Sequence, residues 1–169
     1  PESGTMSRVV AIEPILTLTG TNADERHRVR PEHLLGVALA LAHELLVRNP
    51  RPALSGNAAV TAPLRPFAAD AVERDAGLKP GKLAALADEL WANRGKCLVL
   101  AGPQAAPANH AVALQVAANL LNSVLGNDGV TVDAASPSLQ AQGSEEAVLS
   151  LIERMRAGEV SALLIHGVN

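Results

Sequence analysis

Aromatic side chains are nearly missing: Phe67 and Trp91 are the only two, and tyrosine is absent. That excludes a stacking platform for single-stranded nucleic acid. It also means that any core must be built from Ala, Val and Leu. Cysteine is as scarce. Cys97 is alone, so an intrachain disulfide and multi-cysteine zinc or iron–sulfur sites are excluded. Charge of one sign is lacking too. The net charge is −3, with no basic stripe suited to a phosphate backbone, so nucleic acid is not an expected partner. No apolar run reads as a membrane span, because His43, Glu44, Gln115 and Asn119 interrupt the longest ones. Direct membrane insertion is therefore not expected. Glycine-rich phosphate motifs are missing as well. After "KCLVLAG" comes Gly102-Pro103-Gln104 rather than G-x-G-x-x-G, and no P-loop lysine motif occurs. Neither a G-x-S-x-G elbow nor an H-E-x-x-H pair is present.

What is present is a chain of 169 residues, 48% of them hydrophobic. That length suits one domain. "SRVVAIEP" (7–14) is a β-branched run closed by proline and reads as a strand. Pro31 suits a first helical turn, and Leu34 through Leu46 leave little polar face. A helix apolar nearly all round is buried on several sides. Residues 50–66 hold several prolines and no periodicity, which predicts an extended surface loop. A short helix is expected at 67–76. Pro80-Gly81 opens another, with Leu83, Leu86, Ala87 and Leu90 at helical spacing and Gly95 as its left-handed stop.

"KCLVLAG" (96–102) is a continuous apolar run of the kind covered on both faces of a sheet. Asn109 suits the cap of a long helix to Leu125, stopped by Gly126. "VTVD" (130–133) predicts a short strand. Ser144 suits the cap of a helix carrying Val148, Leu151, Ile152 and Met155 on one face, and "SALLIHGV" predicts a last strand. Strands alternating with helices predict an α/β fold: a Rossmann-like three-layer domain with a mainly parallel sheet. A chain that stops just after a buried-type strand also predicts a fragment of a larger protein.

Chemistry is thinly spread. No two of His27, His33, His43, His110 and His166 are four residues apart. Cys97 suits core packing better than nucleophilic use. Gln115, Asn119 and Asn122 share one helix face, which suits solvent or an interface with another domain. The densest stretch is "TGTNADERHRVRPEH" (19–33), between the first strand and the buried helix. It packs Asp24, Glu25, Arg26, His27, Arg28 and Arg30 together, with Thr17, Thr19 and Thr21 just before them. Hydroxyls and guanidiniums beyond a strand end are suitable chemistry for diphosphates. A solvated charged loop has the same composition.

"TLTGTNADERHRVRPEHL" resembles the segment near the start of the third domain in molybdopterin oxidoreductases of the dimethyl-sulfoxide-reductase superfamily. "RGKCLVLAGPQ", "ANLLNSVLGNDGVTV" and "MRAGEVSALLIHGVN" agree in the same order, so the resemblance runs from about residue 6 to residue 169. The nearest branch is the molybdopterin-like iron–sulfur subunit of alternative complex III, a bacterial quinol:electron-acceptor oxidoreductase. The resemblance implies a respiratory-chain role on the periplasmic side of the bacterial inner membrane. It implies partners among the other domains of a parent chain and among cytochrome and membrane subunits, with iron–sulfur clusters elsewhere in that chain.

Residue by residue, the resemblance marks Thr21, Asp24, Arg28, Arg30, Gln104 and Asn127 as the cofactor-facing set. It assigns no catalytic residue and no metal ligand. Where the superfamily has Pro-Gly-Thr-Asp, this chain has Pro31-Glu32-His33-Leu34. Gly allows close backbone approach. Glu adds bulk and like charge, and Leu removes the acid expected for the guanine. The expectation is a scaffold with a vestigial site and no cofactor in this chain. Two other readings stay open. One is an active domain holding a bis-molybdopterin guanine dinucleotide. The other is a stand-alone nucleotide-binding module.

Overall fold

The computed structural model describes residues 6–102, 107–136 and 144–165. The chain divides into two compact units, Pro1–Ala134 and Ala135–Asn169. The first holds a two-stranded parallel sheet and the main helices. β1 (Val10–Glu13) pairs with β2 (Glu25–Arg28) in the register Val10 to Glu25 and Glu13 to Arg28. They are joined by residues 14–24, which include the one-turn helix α1 (Leu18–Thr21).

Next comes α2 (Pro31–His43), which makes its widest contacts with α6 (Ala108–Val124) and α4 (Ala69–Ala76). Its apolar surround is the reason: Leu34, Val37, Ala40, Leu41 and Ala42 are all buried. The helix continues as one π turn, Glu44–Arg48, with Asn49 N bonded to Glu44 O. There Leu45 and Leu46 complete the core, while the buried Glu44 carboxylate meets Arg48 Nη1 at 3.1 Å.

Residues 50–66 are more ordered than an extended loop. They form a 3-10 turn at Ala53–Gly56, the one-turn helix α3 (Ala58–Thr61) and a second 3-10 turn at Ala62–Leu64. Asn57 caps α3 by accepting Ala59 N, and Leu64 is buried, which anchors the segment. α4 ends on left-handed Gly77, with Leu78 N bonded to Glu73 O in a Schellman arrangement. α5 (Lys82–Ala92) has no local side-chain cap. The buried Glu73 carboxylate supplies one from α4, accepting Gly81 N at 2.7 Å and Leu83 N at 2.6 Å. α6 begins two residues earlier than the Asn109 cap implies, with Pro107 at the cap position.

The expected strand at 96–102 does not form. The segment is extended but makes no ladder with another strand among the described residues. An apolar run only states that a segment can be buried; a strand also needs a neighbour's backbone. Here Cys97, Val99 and Ala101 pack on the core, while Leu98 and Leu100 stay 46% and 81% exposed. It is therefore covered on one face, not two. α6 side chains take the place of a neighbouring strand. Asn122 accepts Val99 N at 2.9 Å and donates to Val99 O at 2.8 Å, and Gln115 donates to Ala101 O at 2.7 Å. The expected strand at 130–133 reduces to one isolated bridge, Asp128 to Val132.

In the second unit, α7 (Glu145–Arg156) is capped by Ser144, whose hydroxyl accepts Ala147 N at 3.1 Å. Val148, Ile152 and Met155 stay exposed along it. Residues 161–165 of the expected last strand form no ladder, and the rest of that run lies outside the described residues. The chain is mixed helix and strand, as an α/β reading requires at its coarsest.

Candidate functional site

The charged stretch splits into a locked part and an open part. β1 delivers Glu13 into a nearly buried position under α1. Its carboxylate accepts Thr17 Oγ1 at 2.6 Å and Arg26 Nε at 2.5 Å. These two partners, Thr17 first, hold the carboxyl below the usual carboxylate range. Thr17 in turn caps α1 by accepting Gly20 N at 3.0 Å. Gly20 is obligatory in this arrangement: a Cβ there would sit 1.8 Å from Glu13 Oε1.

Glu25 is the centre of a second cluster. It meets Lys82 Nζ at 2.5 Å, Arg8 Nη2 at 2.5 Å and His27 Nε2 at 3.0 Å. Hydrogen bonds from Lys82 and Arg8 lower its carboxyl to about 2. Asp24 Oδ2 accepts Val9 N at 2.7 Å and so ties the turn to the base of β1.

Of the six residues marked from sequence, two come together. Arg28 ends β2 and Arg30 occupies the cap position of α2. Both line a cavity of about 580 Å³ with Pro14, His33, Arg74 and Asp75. Arg28, Arg30 and Arg74 are exposed and make no ion pair among the described residues. The cavity thus carries three guanidiniums and one imidazole against one carboxylate. It lies at the carboxyl ends of both strands, the usual place for ligands in open α/β sheets. Arg74 has no signal in the local sequence, because only the packing of α4 on α2 brings it there.

The other marked residues lie elsewhere. Thr21 donates its hydroxyl to Thr17 O at 2.9 Å, and Asp24 is tied as above. Asn127 is 0% exposed and sits under the 96–102 segment: Oδ1 accepts Gly95 N at 3.2 Å, and Nδ2 donates to Asn122 at 3.0 Å. Gln104 and His166 lie outside the described residues.

No protein-family model and no curated protein matches this chain.

The polar face of α6 is turned in part to the chain itself. Gln115 and Asn122 are spent on the chain's own backbone, and only Asn119 is exposed. Cys97 is half-buried, with Sγ 3.8 Å from Leu90 O. Among the described residues, no three His, Cys, Asp or Glu side chains gather as a metal site would require. None of the helices described is long and apolar enough to cross a membrane.

Proposed function

We propose that this chain is a domain of the molybdopterin-oxidoreductase-like subunit of alternative complex III, where it acts as a scaffold around a degenerate cofactor site. The observation that carries the proposal is the fate of Leu34. It stands where the resemblance expects an acid for the guanine, and it is 5% exposed inside the core. Three of the marked polar groups are engaged elsewhere: Asp24 accepts Val9 N, Thr21 donates to Thr17 O, and Asn127 lies in an enclosed network, while Arg28 and Arg30 stay open in the cavity. The residues described do not suit that group, and no reaction step is assigned to this chain.

In this reading the fold is a Rossmann-like three-layer domain with a mainly parallel sheet. The partners are other domains of the parent chain and the cytochrome and membrane subunits of a respiratory complex on the periplasmic side. Iron–sulfur clusters belong to the parent chain outside these residues. Metal analysis of the purified parent complex tests the proposal: iron without stoichiometric molybdenum is the expected result. One molybdenum per subunit would favour an active bis-molybdopterin guanine dinucleotide enzyme instead.

The arginine-lined cavity favours a second reading, a stand-alone nucleotide-binding module. Thermal shift with guanine and adenine nucleotides separates the two. A rise of several degrees at about millimolar ligand supports the module, and no rise supports the scaffold.

A further inference from the structure

From the cavity at the ends of β1 and β2 the chain runs directly into an exposed apolar stretch, Ile15 and Leu16, that forms a lip along the sequence. Pro14 lines the cavity, and Ile15 and Leu16 follow directly, so their Cα atoms lie within about 8 Å of that of Pro14. Ile15 is 70% exposed, Leu16 64% and Leu18, at the start of α1, 86%. The lip is continuous along the chain with a pocket holding three guanidiniums that make no ion pair among the described residues. Each half restricts the occupant. A free phosphate would engage Arg28, Arg30 and Arg74 but leave Ile15 and Leu16 uncovered. A purely apolar partner would desolvate the guanidiniums without pairing them, which is costly.

A flat anionic membrane is disfavoured by the geometry. The cations line a hollow rather than a protruding rim, and Asp75 is in its wall beside the carbonyl end of α4. What fits is a narrow segment that alternates carboxylates with apolar side chains. Planar guanidinium forks pair with carboxylates two bonds at a time. Apolar neighbours on the same segment would cover Ile15 and Leu16.

We propose that the cavity and the adjoining Ile15 and Leu16 dock an acidic, apolar polypeptide segment of a protein partner, with Arg28, Arg30 and Arg74 pairing its carboxylates and Ile15 and Leu16 covering its side chains. This inference stands apart from the respiratory assignment, since any partner carrying such a segment satisfies it.

The test is fluorescence anisotropy on the full chain with a labelled peptide of alternating glutamate and leucine, about ten residues long, in about 50 mM salt. Saturable binding near 10–100 µM is expected, roughly the strength of a small, partly solvated contact. Replacing Arg28 and Arg30 together by Ser should weaken it about tenfold. Arg74→Ser should weaken it in the same direction, and replacing Ile15 and Leu16 by Ser should again cost about tenfold. All these side chains are exposed, and circular dichroism checks that each variant keeps its fold. Three results would overturn the proposal. One is an absence of saturable binding. Another is equal binding of a glutamate–serine peptide, which would make the lip irrelevant. The third is capture of phosphatidylglycerol vesicles without capture of the peptide.

Discussion

Replacing Asn122 by Ala should remove the device that stands in for a β-ladder. Its amide accepts Val99 N and donates to Val99 O, while Asn127 Nδ2 bonds its oxygen at 3.0 Å. Each such neutral bond contributes about 1 kcal/mol net, and a buried group left unpaired costs about 1–3 kcal/mol. Val99 is only half-buried, so water can replace part of what its backbone loses. Asn127 is fully enclosed and cannot be rescued that way. The sum is about 2–4 kcal/mol. For a chain of this size it lowers Tm by roughly 5–15 °C. Asn119→Ala on the same helix is the control. That side chain is exposed and makes no hydrogen bond among the described residues, so its change should stay within about 0.5 kcal/mol. Denaturant unfolding followed through Trp91 gives the energies. Amide exchange at Val99 gives the local answer, because its protection should vanish in the Asn122 variant. If Asn122→Ala and Asn119→Ala unfold alike, with Val99 equally protected, the clip does not hold the segment.

Other expected outcomes follow from the same contacts. Glu73→Gln keeps the volume but loses the charge on two backbone bonds that start α5, so it should cost about 1–3 kcal/mol by urea titration. Gly20→Ala drives a Cβ into Glu13 and should cost about 1–3 kcal/mol of overpacking. Combined with Glu13→Ala its cost should shrink, a non-additivity that a double-mutant cycle measures. The hydrogen bonds from Lys82 and Arg8 hold the Glu25 carboxyl at about 2, below its ordinary 4.5. Its contribution is therefore present above the higher value and lost as the pH falls from 4.5 towards 2. Glu25→Gln should flatten that acid limb in pH-dependent melts.

Local signals made the helices readable. Pro31, Ser144 and the left-handed Gly126 and Gly158 mark ends, and apolar spacing marks α2 and α5. Those features act within one or two turns, so sequence carries them directly. The strand expected at 96–102 does not form because a ladder is a property of two segments, and the partner here is a helix face 23 residues away. Asn127 reads as a turn residue, which it is, yet its burial depends on Gly95 and Cys97 across about 30 positions. The candidate site was half legible. Arg28 and Arg30 stand out by proximity, whereas Arg74 enters only through the packing of α4 on α2.

The charged loop is divided into ion pairs that hold the fold and arginines that face outward. Modification by phenylglyoxal, mapped by mass spectrometry on the native chain, tests that division directly. Arg28, Arg30 and Arg74 should react quickly, while Arg26, bonded to Glu13, should react only after unfolding. Equal rates at Arg26 and Arg28 in the native chain would contradict it.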